Sequence, residues 1–338
     1  MPRRAPGGAG MNVYLSFDVE VWCNGWDALD ARFPASFDRY VYGRSKAGDY
    51  ALPKTLEIIA GHGLTGVFFV EPLFSARFGA AHLRTITELI LAARQDVQLH
   101  LHPEWTDEIR PRLIADADRK RQHLPYYTLA EQTALIGHAR ALLEAAKGAP
   151  VTAFRAGSFA ANRDTYRALA ANALWVDSSL NEVHDHSGGS LPGGRPDRWP
   201  RTIDGVDSYP VTVFRDGFGR LRPAHVGACS FLEMREALRD AQAAGCRHFV
   251  IVSHNFEMLK PGTTTPDAIV VSRFERLCEF LARHPELFRV GPYPLQVDPA
   301  GADAVAADGR SDVAADRPRV SARATAVRHL QQLARRVY

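Results

Sequence analysis

Cysteine is scarce in this chain, and its four copies never form a C-x-x-C pair. Cys23, Cys229, Cys246 and Cys278 are scattered, which argues against a disulfide framework or a structural zinc knuckle. Reduced thiols in a cytosolic, cytoplasmic protein fit better. Long apolar runs are missing too. No stretch approaches the roughly 20 residues that cross a bilayer, so no transmembrane segment is expected. The opening MPRRAPGGAG carries charge with no apolar stretch behind it, so residues 1–10 read as a flexible leader and not as a secretory signal. Neither sign of charge dominates: 41 Lys and Arg against 38 Asp and Glu leave a net +3, too little to call for a nucleic-acid partner. No G-x-G-x-x-G or G-K-[ST] follows the first strand-like segment, which weakens a nucleotide-binding reading.

What remains is an ordinary globular composition, 46 % hydrophobic and 23 % charged over 338 residues. Strand-like runs alternate with helical patterns. GVFFV (66–70), DVQLHLH (96–102), VTAFRAG (151–157), ALWVDSS (173–179), HFVIVSH (248–254) and FRVGPY (288–293) read as strands or their exits. Pro53 opens a helix, Thr128 with Glu131 and Ser230 with Glu233 form capping boxes, Asn162 caps another helix, and Ser272 with Glu275 opens the last one of the core. Strand–helix alternation implies parallel strands with right-handed crossovers. Seven or so such units predict an α/β fold closed as a barrel, though periodicity alone leaves closure open. Residues 23–52 read as a long aromatic loop, and 180–225 as a Gly- and Pro-rich stretch with one short strand, YPVTVF (209–214). A single domain over 11–296 is expected, followed by a disordered or weakly helical tail over 297–338.

The segment YLSFDVEVW (14–22) sets two acids inside a strand. Residues two apart on a strand share a face, so Asp18 and Glu20 point the same way and need a positive partner. His100 and His102 share a face of their own strand by the same rule. Arg155 ends a further strand, and His254 ends a late one. Each has a bland reading: H-x-H alone is a polar strand edge, an exit carboxylate faces solvent, a buried arginine is a salt-bridge partner. Four strand exits that all carry polar residues of this kind argue for a site at the C-terminal rim of a parallel barrel. Two imidazoles and a carboxylate from a neighbouring strand suit one divalent metal with open positions for water.

Together, SFDVE, VQLHLHPEW, FRAGSF and IVSHNFEML resemble the motifs of the polysaccharide deacetylases, the NodB-homology domains of carbohydrate esterase family four. Within that family the chain is most similar to the WalW-type proteins linked to lipopolysaccharide biosynthesis. The resemblance spans about residues 12 to 295. It implies an irregular (β/α) barrel, often seven-stranded, and removal of N-acetyl groups from a sugar of a surface polysaccharide or its precursor. It implies Asp18 as general base, Arg155 as the group that orients it, His254 as general acid, and the Ser158 backbone N–H as a donor to the oxyanion. Glu20 and His100 match metal ligands, the metal being zinc. The family pattern puts its second histidine four residues after the first, where this chain has Glu104. Strand geometry favours His102 for that role, with Glu104 as the alternative. The aspartate that tunes the acid histidine is not placed; Asp177 and Asp207 are candidates.

Trp22 and Trp105, and also Trp26 and Trp199, are candidates for stacking on sugar faces, although large aromatics are more often core. A second H-x-H, His184 and His186, falls in the Gly-rich stretch and reads as solvated. Two other readings compete: a hydrolase of a small non-sugar amide on the same barrel, and a catalytically inactive carbohydrate-binding protein. Near the C-terminus, Val327, Leu330, Leu333, Ala334 and Val337 fall on one helical side beside Arg328, Arg335 and Arg336. That pattern reads as a frayed tail or as a weak membrane-surface contact.

Overall fold

The structure is a computed structural model that describes residues 10–115, 118–194, 196, 198–294 and 316–337. The expected leader, apart from Gly10, and residues 297–315 of the expected tail lie outside the described residues. Seven strands run parallel in one continuous series: His248–His254, Met11–Val19, Val67–Val70, Asp96–Leu101, Ala153–Ala156, Val176–Asp177 and Val206–Ser208. Arg201–Ile203 adds an antiparallel strand at one end, and Phe288–Val290 pairs with the start of Met11–Val19. The sheet curls into an incomplete barrel. Residues 209–226 span its gap without forming a regular ladder with the barrel strands: the Thr212 N–H donates to the Val250 carbonyl, and the Val226 N–H to that of Val252. This is the irregular (β/α) barrel that the sequence implies.

Strand alternation builds two cores. Val13, Leu15, Phe17, Phe68, Val70, Phe249 and Ile251 point outward under the helices. Tyr14, Val67, Phe69, Val250 and Val252 point inward and pack with Tyr209 and Tyr293. The inward series on each strand continues towards its C-terminal end and there turns polar. Pairing then levels these residues across the sheet: Asp18 lies beside His254 on one side and Phe69 on the other, and His100 beside Arg155. The capping boxes at Thr128, Asn162 and Ser230 are all present, each opening a helix packed outside the sheet.

Several local expectations change. The stretch 23–52 contains a helix, Leu29–Phe37, that Pro34 hides because proline reads as a breaker. The last helix of the core starts at Ala268, where the Asp267 side chain accepts from the backbone N–H groups of Ile269 and Val270, and Ser272 with Glu275 lies inside it. Within 209–214 only the end is a regular strand: Val213–Arg215 pairs antiparallel with Leu221–Pro223.

The tail also differs from expectation. Residues Ala322–Val337 form a helix docked on the helix Phe231–Ala243. It docks through polar contacts. Arg328 is buried against Asp216 and Glu233, and Arg335 pairs with Asp267, while Leu330 and Leu333 are 66 % and 57 % exposed. Two of the three arginines expected to attract a lipid surface are therefore held in ion pairs. Among the described residues, no helix is long and apolar enough to cross a membrane.

Candidate active site

The strand Met11–Val19 delivers Asp18, and one residue past its end comes Glu20; both are buried. Asn255 ties this exit to the neighbouring one: its N–H donates to the Asp18 carbonyl, and its Oδ1 accepts the Glu20 N–H at 3.2 Å. Asn255 gives no signal in the sequence beyond standing next to His254.

Glu20, His100 and His102 converge, with one ligand atom from each lying within 4.8 Å of the others. The His100 Nδ1–H donates to the Arg155 carbonyl at 2.8 Å, which leaves the lone pair on Nε2. That buried Nε2 has no hydrogen-bond partner among the described residues. A buried nitrogen aimed into an acidic cluster without a partner is what a metal ligand would present. The set of two imidazoles and one carboxylate fits zinc or a similar divalent ion.

His102 lies with Nε2 3.1 Å from Glu20 Oε2 and Nδ1 3.2 Å from Glu104 Oε2. Glu104 thus holds the far nitrogen of His102, the position from which a carboxylate orients a ligating imidazole. Of the two alternatives left by the sequence, this geometry favours His102 as ligand. Burial lowers the pKa of His100 to about 4. Burial also disfavours a charged His102, but Glu20 and Glu104 outweigh it and hold its pKa well above the ordinary value. A metal must displace that proton. We therefore expect binding at neutral pH to release about one proton and to strengthen as pH rises. Calorimetry in buffers of different ionisation enthalpy checks this, and zero proton release would contradict it.

The close approach of His102 needs a glycine. A Cβ at Gly157 would lie 2.5 Å from the His102 ring. The next two residues, Ser158 and Phe159, both take left-handed backbone conformations, at φ 56° and 55°, rare outside glycine and costly enough to mark a constrained turn. This turn carries the Ser158 backbone N–H. Gly157→Ala should push the ring aside and weaken divalent-metal binding by roughly 10–100-fold, the range for disturbing a ligand's support. Unchanged affinity in a folded variant would show that the ring has room to move.

Arg155 is fully buried, and all three nitrogens of its guanidinium donate hydrogen bonds. Nη1 donates to Asp18 Oδ1 at 2.8 Å, Nη2 to the hydroxyls of Ser16 and Ser178, and Nε to the Ser178 carbonyl. Burial pushes the Asp18 carboxyl up, but Arg155 and the nearby imidazoles outweigh it and hold its pKa below the ordinary value.

His254 stands between two carboxylates. Nε2 is 3.3 Å from Glu20 Oε1, and Nδ1 is 3.0 Å from Glu257 Oε1. Burial opposes its charge, but Glu257 and Glu20 raise its pKa to about 9. Glu257 therefore occupies the position left open for a carboxylate that tunes His254. The candidates Asp177 and Asp207 do not. Asp177 accepts from Tyr166 and Ser179, and Asp207 from Thr202. The available signal for Glu257 was its place three residues after His254. The same Glu257 oxygen also meets His225, which lies in a stretch with no periodic signal.

The tryptophans divide. Trp22 borders the site: its indole N–H donates to Glu20, and its ring meets His102 edge-on at 4.7 Å. Trp105 is only 1 % exposed and packs against Trp26 and Phe78, so it is core and cannot stack on a sugar. Trp199 is buried as well, and Trp26 is partly covered by Lys120. His184 and His186 are exposed; their rings lie against Phe159 and His123.

Comparison with protein-family models and with curated proteins gives no match. Among solved structures, the chain is similar to a protein from Mycobacterium smegmatis provisionally named a polysaccharide deacetylase. The identity is 17 %, the TM-score 0.54, and the match covers 90 % of this chain and 93 % of that one. A family 4 carbohydrate esterase from Streptomyces lividans matches at 13 % identity and TM-score 0.38, over 87 % of this chain and 96 % of that one. The first likeness shows that the chain has the fold of that polysaccharide-deacetylase structure, an irregular (β/α) barrel.

Proposed function

We propose that this chain is a metal-dependent hydrolase that removes N-acetyl groups from a sugar of a surface polysaccharide, such as lipopolysaccharide, or from its precursor. The observation that carries this reading is the convergence of three arrangements at one rim: Asp18 paired with Arg155, the cluster of Glu20, His100 and His102, and His254 backed by Glu257. The motif resemblance to WalW-type deacetylases supports the choice of substrate. Four free, buried cysteines suit a reducing compartment, which supports a cytoplasmic setting and a cytosolic precursor as substrate.

In this reading Asp18, kept ionised by Arg155, accepts a proton from the water that attacks the acetyl carbonyl. Glu20, His100 and His102 would hold a divalent metal, zinc in our proposal, which supplies Lewis acidity to a carbonyl oxygen and to water. The Ser158 N–H serves the developing oxyanion. His254, protonated at neutral pH, passes its proton to the departing amine and takes it from Nε2, since Nδ1 faces Glu257. Trp22 holds Glu20 in place.

The test is acetate release from N-acetylated oligosaccharides set against small amides. Release from the oligosaccharides, lost on chelation and restored by zinc, is the expected result. Release from small amides alone would move the substrate class. No release from either, with metal bound, would leave a carbohydrate-binding protein.

A further inference from the structure

Glu257 does more than face His254. Its Oε1 also lies 3.2 Å from His225 Nε2, so one carboxylate oxygen sits between two imidazoles. One ligand atom from each of His225, His254 and Glu257 lies within 4.8 Å of the others. The two rings are inclined by 46° with centroids 5.7 Å apart, so they converge on the carboxylate and do not stack.

The parts are firmly placed. His225 bridges to Val252 beside the strand that ends at His254, and the Val226 N–H donates to the Val252 carbonyl. The Glu257 carboxylate closely approaches Gly227, where a Cβ would fall 1.6 Å from its Oε2. The buried Nδ1 of His225 has no partner among the described residues, so no acceptor fixes a proton there. Unlike Glu20, His100 and His102, all three groups are partly open to solvent. Water can complete a coordination shell.

We propose that His225, His254 and Glu257 form a second divalent-metal site, weaker than the first, whose occupation removes His254 from its acid role. The donor set again suits zinc. Three partly exposed ligands with no carboxylate or carbonyl supporting the far nitrogen of His225 make the weaker site. Occupation blocks the acid step for a chemical reason. An imidazole bound through Nδ1 is neutral and keeps its one proton on Nε2. Giving that proton up would leave an imidazolate, so His254 no longer serves as a donor. Excess metal should therefore inhibit the enzyme that limiting metal activates. Occupancy stands without the hydrolase reading, whereas inhibition rests on it.

The experiment dialyses the full chain against rising free zinc, counts bound metal, and follows turnover in parallel. Wild type should fill two classes of site. His225→Ala and the milder His225→Gln should keep the first class and weaken the second at least ~10-fold. Turnover should fall as the second class fills, and zinc inhibition should weaken equally in the variants. A single class in wild type, or two unchanged classes in both His225 variants, overturns the site. Two classes with no inhibition overturns the competition with the acid role. Absence of turnover on every substrate would count against the hydrolase reading, and the occupancy data would still decide the site.

Discussion

Asp18→Asn should lower kcat by at least ~100-fold with metal content unchanged, since a positioned general base contributes about that much or more. The substitution keeps the shape but removes both the ability to take a proton and the negative charge opposite Arg155, so the comparison is made on variant protein shown to be folded. Asp18 is buried, and burial alone would favour its neutral form; the Arg155 guanidinium at 2.8 Å is the counterweight. In the proposed mechanism the base is therefore active above the lowered pKa of Asp18 and lost as pH falls through it. Arg155→Met removes the counterweight and leaves burial in charge. The acidic limb of the pH–rate profile should then move up by roughly 1–3 pH units, the usual effect of an adjacent arginine on an aspartate. Breaking a buried pair is also destabilising by about 3–5 kcal/mol, so Arg155→Lys is the companion variant. Lysine keeps the charge but cannot reproduce the fork that spans Asp18, Ser16 and Ser178. Near-wild-type turnover of Asp18→Asn on the true substrate would remove Asp18 as the base. An unmoved acidic limb in both arginine variants would give Arg155 a role in structure alone.

How much of this was legible follows from which signals are local. The strands could be read because inward and outward residues alternate strictly, as in Val67, Phe68, Phe69 and Val70. The same alternation puts Asp18 with Glu20 and His100 with His102 on shared faces from the sequence alone. Register was not legible, because nothing in one strand states its pairing; yet register is what sets Asp18 beside His254 and His100 beside Arg155. His225 and Glu257 were missed for a related reason. Glu257 reaches the site from a turn and His225 from a single isolated bridge, too short for side-chain direction to show a period, and only the folded chain brings them together. Trp105 was misread because a tryptophan next to a motif looks the same in sequence whether it lines a groove or fills the core.

The C-terminal helix shows the same limit and leads to the second large effect: Arg328→Met should destabilise the protein by about 3–5 kcal/mol. Amphipathic spacing marks an apolar side of Ala322–Val337, which in sequence reads as a frayed tail or a weak membrane-surface contact. The helix instead docks by its polar side, because the surface beneath it is acidic. Arg328 Nε donates to Glu233 Oε1 at 2.9 Å, and Nη2 donates to Asp216 Oδ2 at 3.0 Å. Both carboxylates are fully buried and also serve local structure. Asp216 accepts the N–H groups of Phe218 and Arg220, and Glu233 accepts that of Ser230 in its capping box. Gly217 lets the helix approach, since a Cβ there would fall 2.3 Å from Ala322. Without the guanidinium, two buried carboxylates lose the cation that pairs directly with both, a loss that takes a large share of the 5–15 kcal/mol typical of a folded domain. Adding Asp216→Asn and Glu233→Gln to Arg328→Met should recover part of the stability, because neutral groups are far less costly to bury than unpaired charges. Urea unfolding reads both effects. A loss below about 1 kcal/mol for Arg328→Met would place this pair in the range of a surface ion pair and make the helix an accessory to the barrel.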